Sequence, residues 1–269
     1  MSNTFLTRWL TGLIFAAVIF GIIVFASPLA LAAVIALIAA GGIWEYNNIV
    51  FGKGFFIEKI EGTIFAIVIP LVICFGSTQL ALAVLAFCIL TTFIMFLGSV
   101  KEANFDVMTV AKVIFGLMYI PFLLSHFILL RNLDQGVLWV LFVLVLAFAG
   151  DITALYIGKY FGKHKLIPLI SPGKTVEGTV GLVLGSTVAC LIFSYYGFPG
   201  VSLVKVGILA FIGSIIGQLG DLSESAIKRN YGLKDASSLL PGHGGLMDRL
   251  DCLLFIAPFV YYYRIYVIG

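Results

Sequence analysis

The chain has 269 residues, of which 61% are hydrophobic and 11% are charged, and its mean hydropathy is +1.15. Soluble domains contain about 45–50% apolar residues, so this composition excludes an ordinary soluble fold. The net charge of +3 gives no indication of nucleic-acid binding, and the four cysteines show no CxxC spacing that would suggest a zinc site.

Long apolar runs recur along the whole chain. Because a helix needs about 20 apolar residues to cross a bilayer, they predict an all-α, polytopic integral membrane protein with about nine transmembrane helices. The predicted spans are residues 10–26, 29–49, 62–77, 79–98, 107–130, 136–158, 178–197, 202–228 and 251–268.

We divide the chain into two parts on this pattern. Residues 1–135 hold about five of the predicted helices and are expected to form a scaffold, with a lipid-facing or dimer-forming role. Residues 136–269 hold about four helices and two long polar loops, and are expected to form the catalytic part.

The positive charges are distributed unevenly around the predicted spans. Thirteen of the sixteen Lys and Arg residues fall on one side, and three fall on the other: Arg131, Lys205 and Arg264. Since Lys and Arg concentrate in cytoplasmic loops, the N-terminus and the long loops near residues 159–177 and 229–250 are predicted to be cytoplasmic. We expect a multi-pass protein of the cell inner membrane with its active site facing the cytoplasm.

Three acidic residues lie inside predicted spans, where each costs about 2.5–3.5 kcal/mol on insertion scales. Glu45, Asp151 and Asp221 share one depth, about 22–28 Å from the opposite face at about 1.5 Å rise per residue. For Glu45 we favour an interfacial acid beside aromatic residues. For Asp151 we favour a role in a site over a structural hydrogen bond within its helix.

The eighth predicted helix carries a polar stripe. Asp221, Glu224, Ser225 and Lys228 recur at helical spacing, so they share one face. A salt-bridged surface is the alternative, but lipid offers such a surface no partner. We therefore expect functional groups here.

A second acidic pair begins the last span. Asp248 and Asp251 are three residues apart, and a helix would place both carboxylates on one face. Acids also favour helix N-termini for dipole reasons alone. Together with Asp221 and supported by Asp151, however, they form a set of hard oxygen ligands that suits Mg²⁺ or Mn²⁺.

Two loops adjoin these acids. Residues 240–245 form a glycine-dense turn whose backbone amides suit an anion, although a plain flexible turn is the alternative. His243 in this turn could donate to a phosphate, act as an acid or base, or hold the loop together. In the other loop, Lys174 is expected to bind substrate phosphate, and Lys163 and Lys165 to meet anionic lipid headgroups. Pro168 replaces the first glycine of a Walker A motif, which excludes a P-loop.

Four segments resemble the conserved motifs of phosphatidate cytidylyltransferases, the CDP-diacylglycerol synthases. Residues 225–229, 234–237 and 240–251 are similar to the family signature, and residues 171–181 resemble a second motif, SPKKTxEGxxGG. Gly173 replaces the first lysine of that motif and Leu182 its second glycine. The resemblance covers the C-terminal 120 residues.

The resemblance implies condensation of CTP with phosphatidic acid to give CDP-diacylglycerol and pyrophosphate, with Mg²⁺ required. A homodimer is a family-level expectation, and membrane lipids are expected partners. We assign catalytic roles to Asp221, Asp248, Asp251, Lys228 and His243. We assign metal binding to Asp221, Asp248, Asp251 and Asp151. We assign substrate binding to Lys174, Ser171, Thr175, Glu177, Ser225, Arg229, Lys234, Gly244, Gly245 and Arg249.

The main alternative from another class is an ion- or proton-coupled transporter, because carboxylates inside a membrane also mark ion pathways. The acids lie near one face and no inverted repeat is visible, which disfavours this interpretation. A CDP-alcohol phosphotransferase is disfavoured because its DGxxAR motif is missing from the sequence.

Overall fold

The computed structural model describes residues 17–52, 54–100, 106–237 and 244–269. A helical stretch, residues 17–25, comes first. The helices that follow are α1 (Pro28–Phe51), α2 (Phe56–Cys74), α3 (Thr78–Ser99), α4 (Met108–Leu117), α5 (His126–Arg131), α6 (Gly136–Phe161), α7 (Val176–Gly197), α8 (Leu203–Asn230) and α9 (Met247–Tyr263). The prediction of an all-α polytopic membrane protein is confirmed.

Seven helical stretches among the described residues are long and apolar enough to cross a membrane. They match all the predicted spans except 62–77 and 10–26. The span 62–77 corresponds to α2, which carries Glu58, Lys59 and Glu61 in its first two turns. The span 10–26 is described only from residue 17. The total of nine spans and the cytoplasmic N-terminus therefore stay predictions.

The buried charges of α2 are paired inside the protein. The Lys59 ammonium donates to the Asn48 side chain at 2.8 Å and to the Gly52 carbonyl at 2.6 Å, where α1 ends. The Glu61 carboxylate accepts a hydrogen bond of 2.7 Å from the Thr92 hydroxyl of α3. These bonds offset the cost of burying the charges.

A short antiparallel hairpin, which the sequence patterns did not predict, separates α6 from α7. Its strands are β1 (Lys165–Ile167) and β2 (Ser171–Thr175), with Lys165 opposite Thr175. Thr175 also caps α7, because its hydroxyl accepts a hydrogen bond of 3.1 Å from the Gly178 N–H. The hairpin thereby passes directly into the helix that follows it.

Helices α6 to α9 pack closely through small residues. A Cβ atom on Gly150 of α6 would stand 2.4 Å from the Ser186 hydroxyl of α7, and one on Gly185 would stand 2.3 Å from the Thr153 hydroxyl. Ser186 donates a hydrogen bond of 2.7 Å to the Leu146 carbonyl. Small residues and hydroxyl groups are typical of helix contacts in membranes, where they allow close backbone approach.

The two ends of this bundle differ in chemistry. Helices α6 and α8 end, and α7 and α9 begin, at the end that carries the predicted site residues. At the other end, Lys205 donates to the Val267 carbonyl at 2.6 Å and the Arg264 guanidinium lies 5.5 Å from the Trp139 ring centre. Asp151, Asp221 and Asp251 therefore lie in the half of the bundle that is nearer the first of these two ends.

Candidate active site

Four separate segments bring charged groups together at this end of the bundle. Asp151 comes from α6, Lys174 from β2, Asp221 from α8 and Asp251 from α9. The three carboxylates lie within Coulombic range of one another, and Lys174 lies within range of Asp151 and Asp251. The predicted convergence of these residues is therefore present in the fold.

A small cavity lies beside these charges. Its polar lining includes Asp151, Ser214, Gln218 and Asp221, and its apolar lining includes Leu146 and Ile256. The lining of the cavity thus combines carboxylates with apolar side chains.

Lys174 is the cation of this cluster. Its ammonium forms an ion pair with Asp221, and the two side chains are 23% and 30% exposed. The Ser225 hydroxyl lies 3.5 Å from the other oxygen of Asp221, at the limit of a hydrogen bond. Since the pair is still partly open to solvent, an anion could reach the ammonium.

A second charged cluster lies between α8 and α9. Lys228 forms an ion pair with Glu224 at 2.6 Å, one turn earlier on α8, and another with Asp248. The Glu224 and Lys228 side chains are 1% and 10% exposed. The ammonium therefore neutralises a buried carboxylate and fixes the start of α9 against α8.

Asp248 also organises the loop before α9. One of its carboxylate oxygens accepts hydrogen bonds from the Gly245 N–H at 2.8 Å and the Ala236 N–H at 3.2 Å. Gly244 has a φ of +82°, a conformation that favours glycine. Gly244 and Gly245 thus lie where the loop wraps closely around this carboxylate.

Three of the predicted substrate-binding residues hold the hairpin in place. Glu177 accepts hydrogen bonds from the Lys163 N–H at 3.1 Å and from the His164 side chain at 2.6 Å. The Arg229 guanidinium donates to the Ile170 carbonyl at 3.1 Å. Together with the Thr175 cap, these bonds fix the strand that carries Lys174. Their assignment to substrate binding stays a prediction.

The remaining predicted residues lie around these two clusters. Ser171 begins β2 opposite Ile167, and Lys234 is exposed after α8. Arg249 is exposed and lies within Coulombic range of Asp151. His243 lies outside the described residues, so its role stays a prediction.

Glu45 of α1 is the residue whose role sequence reasoning missed. Its side chain is 3% exposed, so the interpretation as an interfacial acid is wrong. Its carboxylate accepts hydrogen bonds from the Ser237 hydroxyl and from the N–H groups of Leu246 and Met247. Its depth, shared with Asp151 and Asp221, was the signal that could have indicated this.

The carboxylates offer the oxygen donors that Mg²⁺ prefers, and the Lys174 ammonium shows that the cluster accommodates a cation. Within the described ranges, however, no three Asp, Glu, His or Cys side chains are grouped closely enough to hold a metal ion. Mg²⁺ is commonly held by one or two carboxylates completed by water and substrate phosphates. The donor chemistry therefore fits a metal that arrives with a phosphate ligand.

Comparison with known proteins identifies the family of the chain. The model of the cytidylyltransferase family matches residues 6–267. The chain belongs to this family. The expected enzyme class is thereby confirmed, and membership favours it over the transporter alternative.

Individual proteins with similar sequences give a more specific comparison. The chain is 37% identical over 188 residues to a phosphatidate cytidylyltransferase of Bacillus subtilis, an alignment that covers 70% of this chain and 68% of that protein. It is 39% identical over 160 residues to the phosphatidate cytidylyltransferase of Staphylococcus saprophyticus, covering 60% and 58%. An uncharacterized protein of Escherichia coli, YnbB, is 37% identical over 195 residues, covering 71% and 64%. The alignments thus span roughly three fifths to two thirds of these relatives.

Proposed function

We propose that this protein transfers a cytidylyl group from CTP to phosphatidic acid, giving CDP-diacylglycerol and pyrophosphate. A phosphate oxygen of phosphatidic acid forms a bond to the α-phosphorus of CTP, and the bond between the α- and β-phosphates breaks. Pyrophosphate leaves with the electron pair of that bond. The names of the Bacillus and Staphylococcus relatives support this choice of substrates.

One observation carries the proposal: Lys174 of the hairpin is paired with Asp221, beside the carboxylates of Asp151 and Asp251. Phosphoryl transfer needs positioning and charge neutralisation more than covalent help, so lysines beside carboxylates suit it. In this proposal Lys174 leaves Asp221 to neutralise the triphosphate. Arg249, exposed at the start of α9, adds a second positive charge.

We further propose that one or two of the carboxylates of Asp151, Asp221 and Asp251 would hold Mg²⁺ together with phosphate oxygens of the nucleotide. Bound there, the metal would neutralise charge on the phosphates. Asp248 was included in this ligand set from the sequence, and its carboxylate already accepts three hydrogen bonds, from Lys228 and from the Gly245 and Ala236 N–H groups. Its present bonds support a role in holding the loop around the site.

The location of the site supports a reaction between one soluble and one membrane-bound substrate. The carboxylates lie in the half of the bundle at the hairpin end, on helices that are long and apolar enough to cross a membrane. A polyanionic nucleotide can reach that end from water, while acyl chains hold the lipid phosphate in the adjacent leaflet. We place this end of the bundle at the cytoplasmic face because the predicted topology puts thirteen of the sixteen Lys and Arg residues on that side.

The test is an assay on the purified full-length protein in detergent. CTP radiolabelled at the α-phosphate is supplied with phosphatidic acid and Mg²⁺, and label is measured in the extracted lipid. CTP labelled at the γ-phosphate is the matched control, because its label should leave in pyrophosphate. Lipid label from the α-position alone supports the proposal, and its absence would exclude cytidylyl transfer by this protein.

A further inference from the structure

We propose that Glu45 is a positioning residue for the cytidylyl-transfer site, through which the N-terminal helices hold the loop that precedes α9. The inference rests on the proposed function for its effect on turnover. Its structural part can be measured independently. It assigns the first 135 residues a direct part in the geometry of the site.

The bonds of Glu45 connect two places that are close in space and separated in sequence. Oε1 accepts a hydrogen bond from the Ser237 hydroxyl and one of 2.9 Å from the Leu246 N–H. Oε2 accepts one of 2.8 Å from the Met247 N–H, where α9 begins. A single carboxylate of α1 therefore joins the chain before and after residues 238–243.

The ionised carboxylate is suited to this position for two physical reasons. First, the three hydrogen-bond partners of Glu45 among the described residues are all donors, and a carboxylate offers only acceptors. Second, the first N–H groups of a helix lack partners within the helix and carry partial positive charge, so an anion stabilises them. The amide introduced by Glu45→Gln would place a donor against donors, which removes at least one bond.

Glu45 acts beside a residue of the site. The Gly245 N–H bonds to Asp248, and the next two N–H groups along the chain bond to Glu45. A Cβ atom on Gly245 would stand 2.9 Å from a Glu45 oxygen and 3.0 Å from an Asp248 oxygen. The two carboxylates therefore share one turn of backbone, and moving one displaces the other.

The close approach of α1 to α9 agrees with this role. A Cβ atom on Gly41 would stand 2.8 Å from the Leu246 side chain, and one on Gly42 would stand 3.7 Å from the Leu250 side chain. Glu45 lies one turn after Gly41 on the same helix. Small residues thus let α1 approach closely enough for the carboxylate to reach the backbone of α9.

The chain offers a matched control in the same N-terminal part. Glu61 is 4% exposed and accepts a hydrogen bond from the Thr92 hydroxyl, as Glu45 does from Ser237. Its hydrogen-bond donor lies on α3, away from the loop. Glu61→Gln therefore tests the general cost of changing a buried glutamate, without altering the loop.

The experiment compares Glu45→Gln and Glu61→Gln with the wild type in detergent. We expect Glu45→Gln to lower kcat for CDP-diacylglycerol formation by about tenfold or more, as loss of a supporting group commonly does. At matched thermal stability, Glu61→Gln should keep kcat within about twofold. Ser237→Ala should lower kcat less in the Glu45→Gln background than in the wild type, because both changes weaken the same set of bonds around residue 45.

Hydrogen exchange of the backbone amides separates this inference from the proposed function. Peptides containing Leu246 and Met247 should exchange faster in Glu45→Gln than in the wild type, and should be unchanged in Glu61→Gln. Unchanged exchange at these amides would overturn the inference, whatever reaction the protein catalyses. If the wild type is active, and Glu45→Gln exchanges faster but has the same kcat as the wild type, the positioning role is overturned.

Discussion

Gly220 of α8 lies so close to α9 that a Cβ atom on it would stand 2.6 Å from the carbonyl oxygen of Asp251. The neighbouring residue on α8 is Asp221, so this contact sets the spacing of two carboxylates of the site. Backbone cannot move aside as a flexible side chain can. The absence of a side chain at residue 220 is therefore a requirement of the site geometry.

Replacing Gly220 with alanine should separate α8 from α9 near the site. Because displacements of about 1 Å can lower turnover about a hundredfold, we expect kcat to fall by at least about tenfold. The matched control is Gly207→Ala on the same helix, where the nearest atom to an added Cβ is 3.7 Å away. The rate of CDP-diacylglycerol formation is measured for both variants. Equal activity of Gly220→Ala and Gly207→Ala would contradict the account.

Replacing Lys174 with methionine should remove the cation that we assign to the triphosphate. Loss of one preorganised charge-stabilising donor commonly costs about 10²–10³ in kcat, and we expect a loss in this range. Lys165→Met is the control, since Lys165 lies in the partner strand of the same hairpin and is exposed. Steady-state kinetics with CTP measures both variants. An equal loss of kcat in Lys174→Met and Lys165→Met would contradict the assignment.

Replacing Lys228 with methionine should leave Glu224 buried without its cation. Breaking a buried ion pair from one side costs about 3–5 kcal/mol, so the unfolding transition in detergent should move to lower temperature. The double variant Glu224→Gln with Lys228→Met should recover part of this stability, because it removes the unpaired charge of Glu224, while Asp248 loses the same cation but keeps its bonds to the Gly245 and Ala236 N–H groups. Thermal unfolding followed by circular dichroism measures this, and a double variant less stable than Lys228→Met would contradict it.

Removing divalent metal should abolish turnover. We expect EDTA to stop CDP-diacylglycerol formation and Mg²⁺ or Mn²⁺ to restore it, because carboxylates and phosphates favour hard cations. Asp151→Asn should raise the Mg²⁺ concentration required for half-maximal activity, while Glu61→Gln should leave it unchanged. Full turnover in excess EDTA would refute the metal proposal.

Much of the fold could be predicted from local sequence. The apolar runs correctly predicted the seven described stretches that are long and apolar enough to cross a membrane, because lipid requires about 20 apolar residues in each. The spacing of Asp221, Glu224 and Lys228 likewise placed them on one face of α8, where Lys228 bonds to Glu224. Local periodicity suffices for features that depend on one helix.

Features that depend on contacts distant in sequence could not be predicted in this way. Glu45 accepts a hydrogen bond from the Leu246 N–H, 201 residues away in sequence, and no periodic pattern indicates such a pairing. The hairpin was missed because its strands are only three and five residues long and contain Pro172 and Gly173. The predicted start of the third span at residue 62 was late because α2 begins with three charged residues, Glu58, Lys59 and Glu61. Partners of two of them, Lys59 and Glu61, lie on α1 and α3 and could not be predicted from the local sequence.

The predicted orientation can be tested by labelling introduced cysteines in intact cells. In a background without the four native cysteines, Ser202→Cys should react with an impermeant thiol reagent from outside, and Lys234→Cys should not. Both positions are exposed at opposite ends of α8. The reverse labelling pattern would contradict a cytoplasmic site.

The central claim is that the carboxylates at this end of the bundle support cytidylyl transfer to phosphatidic acid. It is tested most directly by transfer of α-phosphate label from CTP to lipid in the wild type, in Asp251→Asn and in Asp235→Asn, an exposed acid of the same region. All three should remain folded, and we predict label in the wild type and Asp235→Asn but a loss of at least about a hundredfold in Asp251→Asn. Near-normal transfer by Asp251→Asn would contradict the account.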